Sequence, residues 1–214
     1  MARITVLGGT GYAGGAIARE AAARGHDVVV FSRSASGDAI LGVVHVAGSA
    51  RERADVERAA ADADVIVVAL APSGDLADGF VTLNKEIADL ARTAGARLGV
   101  VGGAGSLLVA SQGPKVFEAP DFPEQFRGYA RISDQVLQAL RDSDPGLDWF
   151  VLSPPRGFGH YAPGEPVGTF RLGGEVMLAD HEGRSFISGA DFAVAFVDEI
   201  DRPAHRRARF TVAY

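Results

Sequence analysis

Short, continuous apolar runs alternate along the chain with alanine-rich stretches whose apolar positions recur at helical spacing. The runs that predict strands cover residues 4–7, 28–31, 43–46, 65–70, 98–101, 149–152 and 209–213. The stretches that predict helices cover residues 13–24, 54–61, 76–94, 123–141 and 188–200. A strand without polar alternation is buried on both faces, as in a parallel sheet covered by helices on both sides. The order of these elements therefore predicts an α/β fold with a doubly wound parallel sheet.

The pattern loosens in the last third of the chain. Residues 157–183 are rich in glycine, proline and aromatic residues, and short strand-like pieces occur at residues 169–172 and 176–178. We expect a single domain over residues 1–214, in which residues 157–186 form a small lobe over the sheet. A lobe in that place is suited to contacts with a substrate.

A glycine-rich turn follows the first predicted strand. It has the spacing G-x-x-G-x-x-G and leads into the first predicted helix, and it consists of Gly8, Gly9, Thr10, Gly11, Tyr12, Ala13 and Gly14. Glycines allow a tight turn and close approach of the backbone, and the helix N-terminus attracts a pyrophosphate. This context predicts a dinucleotide site on a Rossmann fold. The alternative is an ordinary turn before a helix.

The second predicted strand ends next to Arg33. At this position an acidic residue favours NAD(H), whereas an arginine can pair with the 2′-phosphate of NADP(H). Arg33 lies 19 positions after Gly14, close to the expected offset of about 20. The sequence therefore predicts that NADP(H) is preferred over NAD(H). The alternative is an exposed arginine at the end of a strand.

Composition and charge narrow the possible partners. The net charge is −6 over 214 residues, and no run is rich in lysine or arginine, so we expect neither a nucleic acid nor a membrane as partner. No apolar run reaches about eighteen residues and no leader precedes the first strand, which predicts a cytoplasmic protein. We expect a small-molecule substrate, and the oligomeric state is not indicated. Without cysteine, thiolate sites are excluded, and no metal site is predicted from the spacing of His26, His45, His181 and His205.

Several further strings carry a family resemblance over essentially the whole chain. Besides the turn, these are the strings at residues 100–107 (VVGGAGSL), 121–123 (DFP), 147–149 (LDW), 152–155 (LSPP) and 191–195 (DFAVA). The chain resembles the atypical short-chain dehydrogenase/reductases, and within them the NADH-flavin reductase group of NAD(P)H-binding proteins. It is more distantly similar to biliverdin-IXβ/flavin reductase and to NmrA-like regulators. The resemblance implies hydride transfer from a nicotinamide to a flavin or quinone.

Three departures from the relatives concern the chemistry. The usual Tyr-x-x-x-Lys pair is replaced by Tyr129 and Ser133, so the usual proton relay is absent. Arg156 stands after the Pro-Pro pair where the flavin/biliverdin reductase relative has a histidine. Residues 47–50 (AGSA) replace the Gly-Asp pair that contacts adenine in many relatives.

Ligands of such sheets bind beyond the carboxyl ends of the strands. The candidate cofactor contacts there are Ala69, Leu70, Ala71, Gly102, Gly103 and Pro154, although the stretch from Ala69 could equally form a plain β-turn. The candidate catalytic residues are Ser106, Arg156 and His160. Ser106 could donate to the substrate or cap a turn; Arg156 could hold an anionic substrate group or the cofactor phosphates; His160 could donate a proton or be a plain surface histidine.

These observations favour an NADPH-dependent oxidoreductase that reduces a flavin, quinone or similar flat conjugated acceptor, with any flavin bound as substrate rather than as prosthetic group. Such a site needs little acid–base machinery, because proximity of the two rings carries much of the rate enhancement. The main alternative is a non-catalytic NAD(P)-binding sensor of the NmrA type. A cofactor-dependent isomerase or epimerase is a weaker possibility, since the tyrosine–lysine pair is absent.

Overall fold

A computed structural model describes residues 1–34 and 40–214 of the chain. The described residues form eight β-strands in one sheet. In chain order the strands are β1 (Arg3–Leu7), β2 (Asp27–Ser32), β3 (Val43–Ala47), β4 (Val65–Val68), β5 (Arg97–Val101), β6 (Trp149–Ser153), β7 (Arg171–Gly173) and β8 (Ala208–Ala213). The helices are α1 (Tyr12–Ala23), α2 (Arg53–Ala59), α3 (Phe80–Ala94), α4 (Glu124–Arg141) and α5 (Gly189–Asp201).

The strand order is β3-β2-β1-β4-β5-β6-β8-β7, and every pair is parallel except β7 with β8. The chain winds outward from β1 in one direction to β3 and then in the other through β4, β5 and β6. The strand order thus reverses between β1 and β4, which is where open α/β sheets bind their ligands. The predicted doubly wound fold is confirmed.

The two faces of the sheet carry separate cores. Helices α1 and α5 cover one face, where Ile17, Phe192 and Phe196 pack on inward residues of β1, β2, β4, β6 and β8. Helices α2, α3 and α4 cover the other, where Ile87 and Leu137 pack on the opposite residues of the central strands. Each central strand buries both of its faces, which explains why these strands are continuous apolar runs in the sequence.

Several predicted boundaries and one predicted strand differ from the structure. β4 ends at Val68 rather than at residue 70, although the Ala69 N–H still donates to the Leu7 carbonyl of β1 at 2.9 Å. α3 begins at Phe80 rather than at residue 76, since a 3₁₀ turn and Gly79 at φ 86° precede it. Residues 176–178 form no strand; within the described part of the chain, Val176 makes a single bridge to Leu108.

Candidate functional site

The glycine turn connects β1 to α1 at the point where the strand order reverses. Its first residue, Gly8, has φ +86°, a conformation that other residues rarely adopt. α1 begins at Tyr12 after Gly11, without a side-chain cap and without an acidic residue in its first turn. The first N–H groups of a helix have no intrahelical acceptor, so this end of α1 presents donors and positive potential to a ligand.

Close packing fixes the shape of this turn. A Cβ atom at Gly14 would overlap the carbonyl oxygen of Gly8, and one at Gly8 would lie 2.7 Å from the carbonyl oxygen of Ala69. The Gly11 N–H is used within the turn, since it donates to the Gly8 carbonyl at 3.0 Å. Side chains at these positions would fill the cradle, and their absence lets the backbone approach a pyrophosphate. The residues present therefore fit the dinucleotide that the turn predicts.

Arg33 lies directly after β2, beside the end of β3. Its side chain is 85% exposed, and a guanidinium nitrogen lies 3.8 Å from a carboxylate oxygen of Asp75. β2 and β3 pair in register up to Ser32 and Ala47, and the Gly48 N–H donates to the Ser32 carbonyl at 3.0 Å. Among residues 1–34 and 40–214, the guanidinium is thus held by this weak ion pair alone, at the end of β2.

A cavity of about 760 Å³ opens beside the turn, at the carboxyl ends of β4, β5 and β6. It brings together most of the predicted cofactor contacts and one predicted catalytic residue. These are Gly11, Tyr12, Ala13, Ala69, Leu70, Ala71, Gly102, Gly103 and Arg156. Gly8, Gly14 and Pro154 lie outside its lining; the two glycines shape the turn, and Pro154 is buried behind it.

One face of α4, together with Phe122 two residues before the helix, forms another wall of this cavity. Phe122, Phe126, Tyr129 and Ser133 line it. Their spacing of four, three and four residues places the last three on one helical face, which is a sequence signal that our prediction did not use. Lys115 does not replace the missing lysine of the Tyr-x-x-x-Lys pair, because its Nζ lies 2.5 Å from Asp134 Oδ2.

Ser106 occupies a different position from the one expected of a substrate contact. It is 2% exposed, its hydroxyl donates to the Gly103 carbonyl at 3.2 Å, and it accepts from Arg209 Nη1 at 3.0 Å. The Ser106 carbonyl accepts from the same nitrogen, and Arg209 also pairs with Glu175. Ser106 is absent from the cavity lining. This geometry favours the alternative, a residue that holds the turn after β5.

Arg156 and His160 lie on opposite sides of Tyr12. Arg156 lines the large cavity, whereas His160 lines a second groove of about 610 Å³ together with Gly9, Thr10 and Gly11. The His160 ring is exposed and meets the Tyr12 ring edge-on, with 5.1 Å between centroids. The structure therefore places His160 beside the glycine turn rather than beside the large cavity.

The Tyr12 side chain ties the loop after β6 to the turn. Its hydroxyl donates to the Pro163 carbonyl at 2.9 Å, and its ring contacts Phe158 edge-on at 5.1 Å. Burial raises the pKa of Tyr12, so the hydroxyl keeps its proton at neutral pH. Tyr12 was predicted to bind the cofactor, and in the structure it lines both cavities.

Asp191, in the first turn of α5, fastens the next part of the same loop. Its carboxylate accepts from the N–H of Val167 at 2.7 Å, from the N–H of Gly168 at 3.2 Å and from the Tyr214 hydroxyl. Burial raises the pKa of Asp191, but these hydrogen bonds outweigh burial and hold that pKa below its usual value. The segment after β6 is therefore bound at residue 163 by Tyr12 of α1 and at residues 167–168 by Asp191 of α5.

Within the described ranges, no group of three or more acidic or histidine side chains is arranged to hold a metal ion. The helices of those ranges also include none that combines the length and apolar character needed to cross a bilayer.

Fold and turn together define a Rossmann-type nicotinamide-dinucleotide-binding protein. A family model described as NAD(P)H-binding matches residues 8–203. The chain belongs to this NAD(P)H-binding family, and its fold is that of the atypical short-chain dehydrogenase/reductases.

Three solved structures are similar over nearly their full length. A candidate exported protein of Burkholderia pseudomallei is 36% identical with a TM-score of 0.87, and each chain is covered completely. A candidate NADH-flavin reductase of Streptococcus pneumoniae is 28% identical with a TM-score of 0.82, covering 100% of this chain and 99% of the other. A candidate epimerase of Bacteroides thetaiotaomicron is 28% identical with a TM-score of 0.87, covering 100% and 97%.

Proposed function

We propose that the protein is an NADPH-dependent oxidoreductase that passes a hydride to a flavin, a quinone or a similar flat conjugated acceptor. The observation that carries this proposal is the aromatic-walled cavity of about 760 Å³ that opens beside the glycine turn. Its volume lies within the range of small-molecule sites, about 300–1,000 Å³. A nicotinamide and part of a second ring system can share such a space.

The cofactor would lie across the switch point of the sheet. The first turn of α1 would hold the pyrophosphate through its N–H groups, Arg33 would pair with the 2′-phosphate, and Gly102 and Gly103 would leave room for the nicotinamide at the end of β5. When bound, the nicotinamide supplies the hydride. Ala69 and Ala71, small residues that line the cavity after β4, would leave space for its ribose.

The protein's own contribution is mainly to position two rings and to exclude water. Phe126 and Tyr129 of α4 line the cavity and would face the nicotinamide, and Leu70 and Phe158 belong to the same apolar lining. Tyr129 and Ser133 present hydroxyl groups to the cavity, where they can donate hydrogen bonds to an acceptor heteroatom. The proton that completes reduction of a flavin can come from water, so the site needs no strong general acid.

The experiment is NADPH oxidation in the presence of FMN, riboflavin or a naphthoquinone, followed spectrophotometrically. We expect turnover with at least one of these acceptors, and slower turnover when NADH replaces NADPH at the same concentration. Micromolar binding of NADPH without turnover of any acceptor would refute the oxidoreductase proposal.

A second candidate function is a non-catalytic NAD(P)-binding sensor of the NmrA type. It is supported by the burial of Ser106 and by the position of His160 outside the large cavity, which leave no general acid among the predicted residues. Binding without turnover would favour this function, whereas an epimerase would turn over substrate without net consumption of NADPH. The cytoplasmic location and a small-molecule substrate, with neither nucleic acid nor membrane as partner, are part of the proposal.

A further inference from the structure

The backbone of Arg156 is fixed at the rim of the large cavity. Its N–H lies 3.4 Å from Ser185 Oγ, and its carbonyl accepts from the Tyr161 hydroxyl at 2.7 Å. Pro154 and Pro155 precede it directly after β6, and each proline ring restricts φ. The side chain therefore starts from a defined point just after the end of β6, at the rim of the cavity.

The guanidinium of Arg156, in contrast, is only weakly engaged. It lies 3.8 Å from Asp121 Oδ2, and the two side chains are 44% and 75% exposed. Other arginines of the fold are held by short bonds: Arg97 donates to the Glu199 carboxylate at 2.6 Å, and Arg207 donates to the Asp144 carbonyl at 2.8 Å. A loosely held guanidinium on a fixed backbone is available to a ligand.

Arg156 and Asp121 are the only charged residues among those described as lining this cavity. The other described lining residues are apolar, aromatic or uncharged polar. Among them all, an anionic ligand group can therefore pair only with Arg156, and a cationic one only with Asp121. An arginine binds phosphate, sulfonate or carboxylate through two parallel N–H bonds, whereas a carboxylate repels such groups. Arg156 is thus the point at which this cavity can hold an anion.

The neighbouring walls select for a flat molecule. Phe122, Phe126, Tyr129 and Tyr161 present ring surfaces around the same opening. Arg127 fixes Phe122, since its Nη2 donates to the Phe122 carbonyl at 3.0 Å and its guanidinium carbon lies 5.7 Å from the ring centroid. Phe126 and Tyr129 remain 47% and 41% exposed, which leaves their surfaces open to stacking.

We infer that the acceptor of this enzyme is a flat aromatic molecule that carries an anionic group, and that Arg156 binds this group. The inference rests on the proposed function and adds the charge of the substrate to it. Asp121 is the competing partner of Arg156 and weakens binding of the anion. The alternative role of Arg156, binding the cofactor phosphates, is one outcome of the test below, because Gly11 and Tyr12 at the start of α1 line the same cavity.

FMN and riboflavin share one ring system and differ in a phosphate, so they form a matched pair of probes. Their dissociation constants are measured by quenching of flavin fluorescence, with NADP⁺ present. We expect FMN to bind about tenfold more tightly than riboflavin, the scale of a half-exposed charge-assisted hydrogen bond. Arg156→Gln should abolish this preference, and Asp121→Asn should strengthen FMN binding without changing riboflavin binding. Arg202→Gln, at the far end of α5, is the control.

The possible outcomes distinguish a failure of this inference from a failure of the proposed function. Equal affinities for the two flavins, or a preference that survives in Arg156→Gln, would overturn the inference, while turnover of both by NADPH would leave the proposed function standing. A parallel loss of NADP⁺ affinity in Arg156→Gln would also overturn it, because Arg156 would then be a cofactor contact. If neither flavin binds, the inference is overturned, whereas the proposed function is overturned only if the naphthoquinone is not turned over either.

Discussion

The predicted preference for NADP(H) over NAD(H) depends on one exposed side chain, that of Arg33. A carboxylate oxygen of Asp75 lies 3.8 Å from its guanidinium, and both side chains face solvent, so this ion pair contributes little to stability by itself. A 2′-phosphate would offer the guanidinium a stronger, bidentate partner. We therefore propose that Arg33 distinguishes the two nicotinamide cofactors.

Replacement of this side chain should remove the preference without disturbing the fold. We expect Arg33→Ala to weaken NADPH binding by about tenfold or more, the scale of one charge-assisted hydrogen bond, and to leave NADH binding unchanged within about twofold. Fluorescence titration with both cofactors measures the effect, and Arg92→Ala, on the exposed end of α3, serves as control. An unchanged ratio of the NADPH and NADH affinities would show that a group other than Arg33 distinguishes the phosphorylated from the unphosphorylated ribose.

The candidate residues differ in how far the sequence could place them. Gly14 packs against Gly8 within one turn, so the local spacing is enough to predict that the two glycines belong together. The buried position of Ser106 could not be predicted in this way, because its partner, Arg209, lies 103 positions further along the chain. A long-range contact of this kind leaves no trace in local spacing. The position of His160 could not be predicted either, because the Tyr12 ring that it contacts belongs to the first helix.

At the scale of elements, the central strands were predictable and the irregular segments were not. β1, β2, β5 and β6 lie between helices on both faces, so their apolar runs carry a strong signal. The start of α3 was missed because a 3₁₀ turn there resembles a helical turn in sequence. The loop after β6 owes its course to Tyr12 and Asp191, two anchors on distant helices.

The Asp191 anchor makes the C-terminal lobe sensitive to acid. Because the folded-state pKa of Asp191 is lowered, its stabilising effect is complete above the unfolded value, about pH 4, and is lost as pH falls through the folded pKa. We expect Asp191→Asn to lower the free energy of unfolding at pH 7 by about 1–3 kcal/mol. The variant should also lose less stability than the wild type between pH 6 and about pH 3.

Urea unfolding across this pH range measures both effects. Glu182→Gln, an exposed change in the same lobe, should track the wild type. Parallel pH profiles for the wild type and Asp191→Asn would show that the Asp191 carboxylate does not contribute to the acid sensitivity.

The two edges of the sheet differ in how firmly their charged side chains are held. At the carboxyl edge lie the glycine turn and the large cavity, where the Arg156 guanidinium is 3.8 Å from Asp121 Oδ2. The amino edge carries a buried charge cluster, in which Arg97 donates to Glu199 Oε1 at 2.6 Å and to the His205 carbonyl at 2.9 Å. β5 separates the two, and four steps of about 3.3 Å place Arg97 roughly 13 Å from Val101, the cavity residue at the other end of the strand.

Glu199 is the residue on which this amino-edge cluster converges. It is 4% exposed, and its carboxylate also accepts from the N–H groups of Ala204 and His205 at 3.1 and 2.9 Å. Burial raises the pKa of Glu199, but the hydrogen bonds from Arg97 and His205 outweigh burial and lower it. The carboxylate is therefore charged at neutral pH and fixes the end of α5 to β5.

Loss of this charge should affect stability but not the site. We expect Glu199→Gln to lower the free energy of unfolding by about 2–4 kcal/mol, because Arg97 would remain buried with only Asp148 as a charged partner. Cofactor affinity of the folded protein should stay unchanged. Urea unfolding and cofactor titration measure the two quantities, and Glu57→Gln, in an exposed pair with Arg53, should change stability by no more than about 0.5 kcal/mol. A fall in cofactor affinity for Glu199→Gln alone would instead show that the amino-edge cluster and the cofactor site are energetically coupled across the sheet.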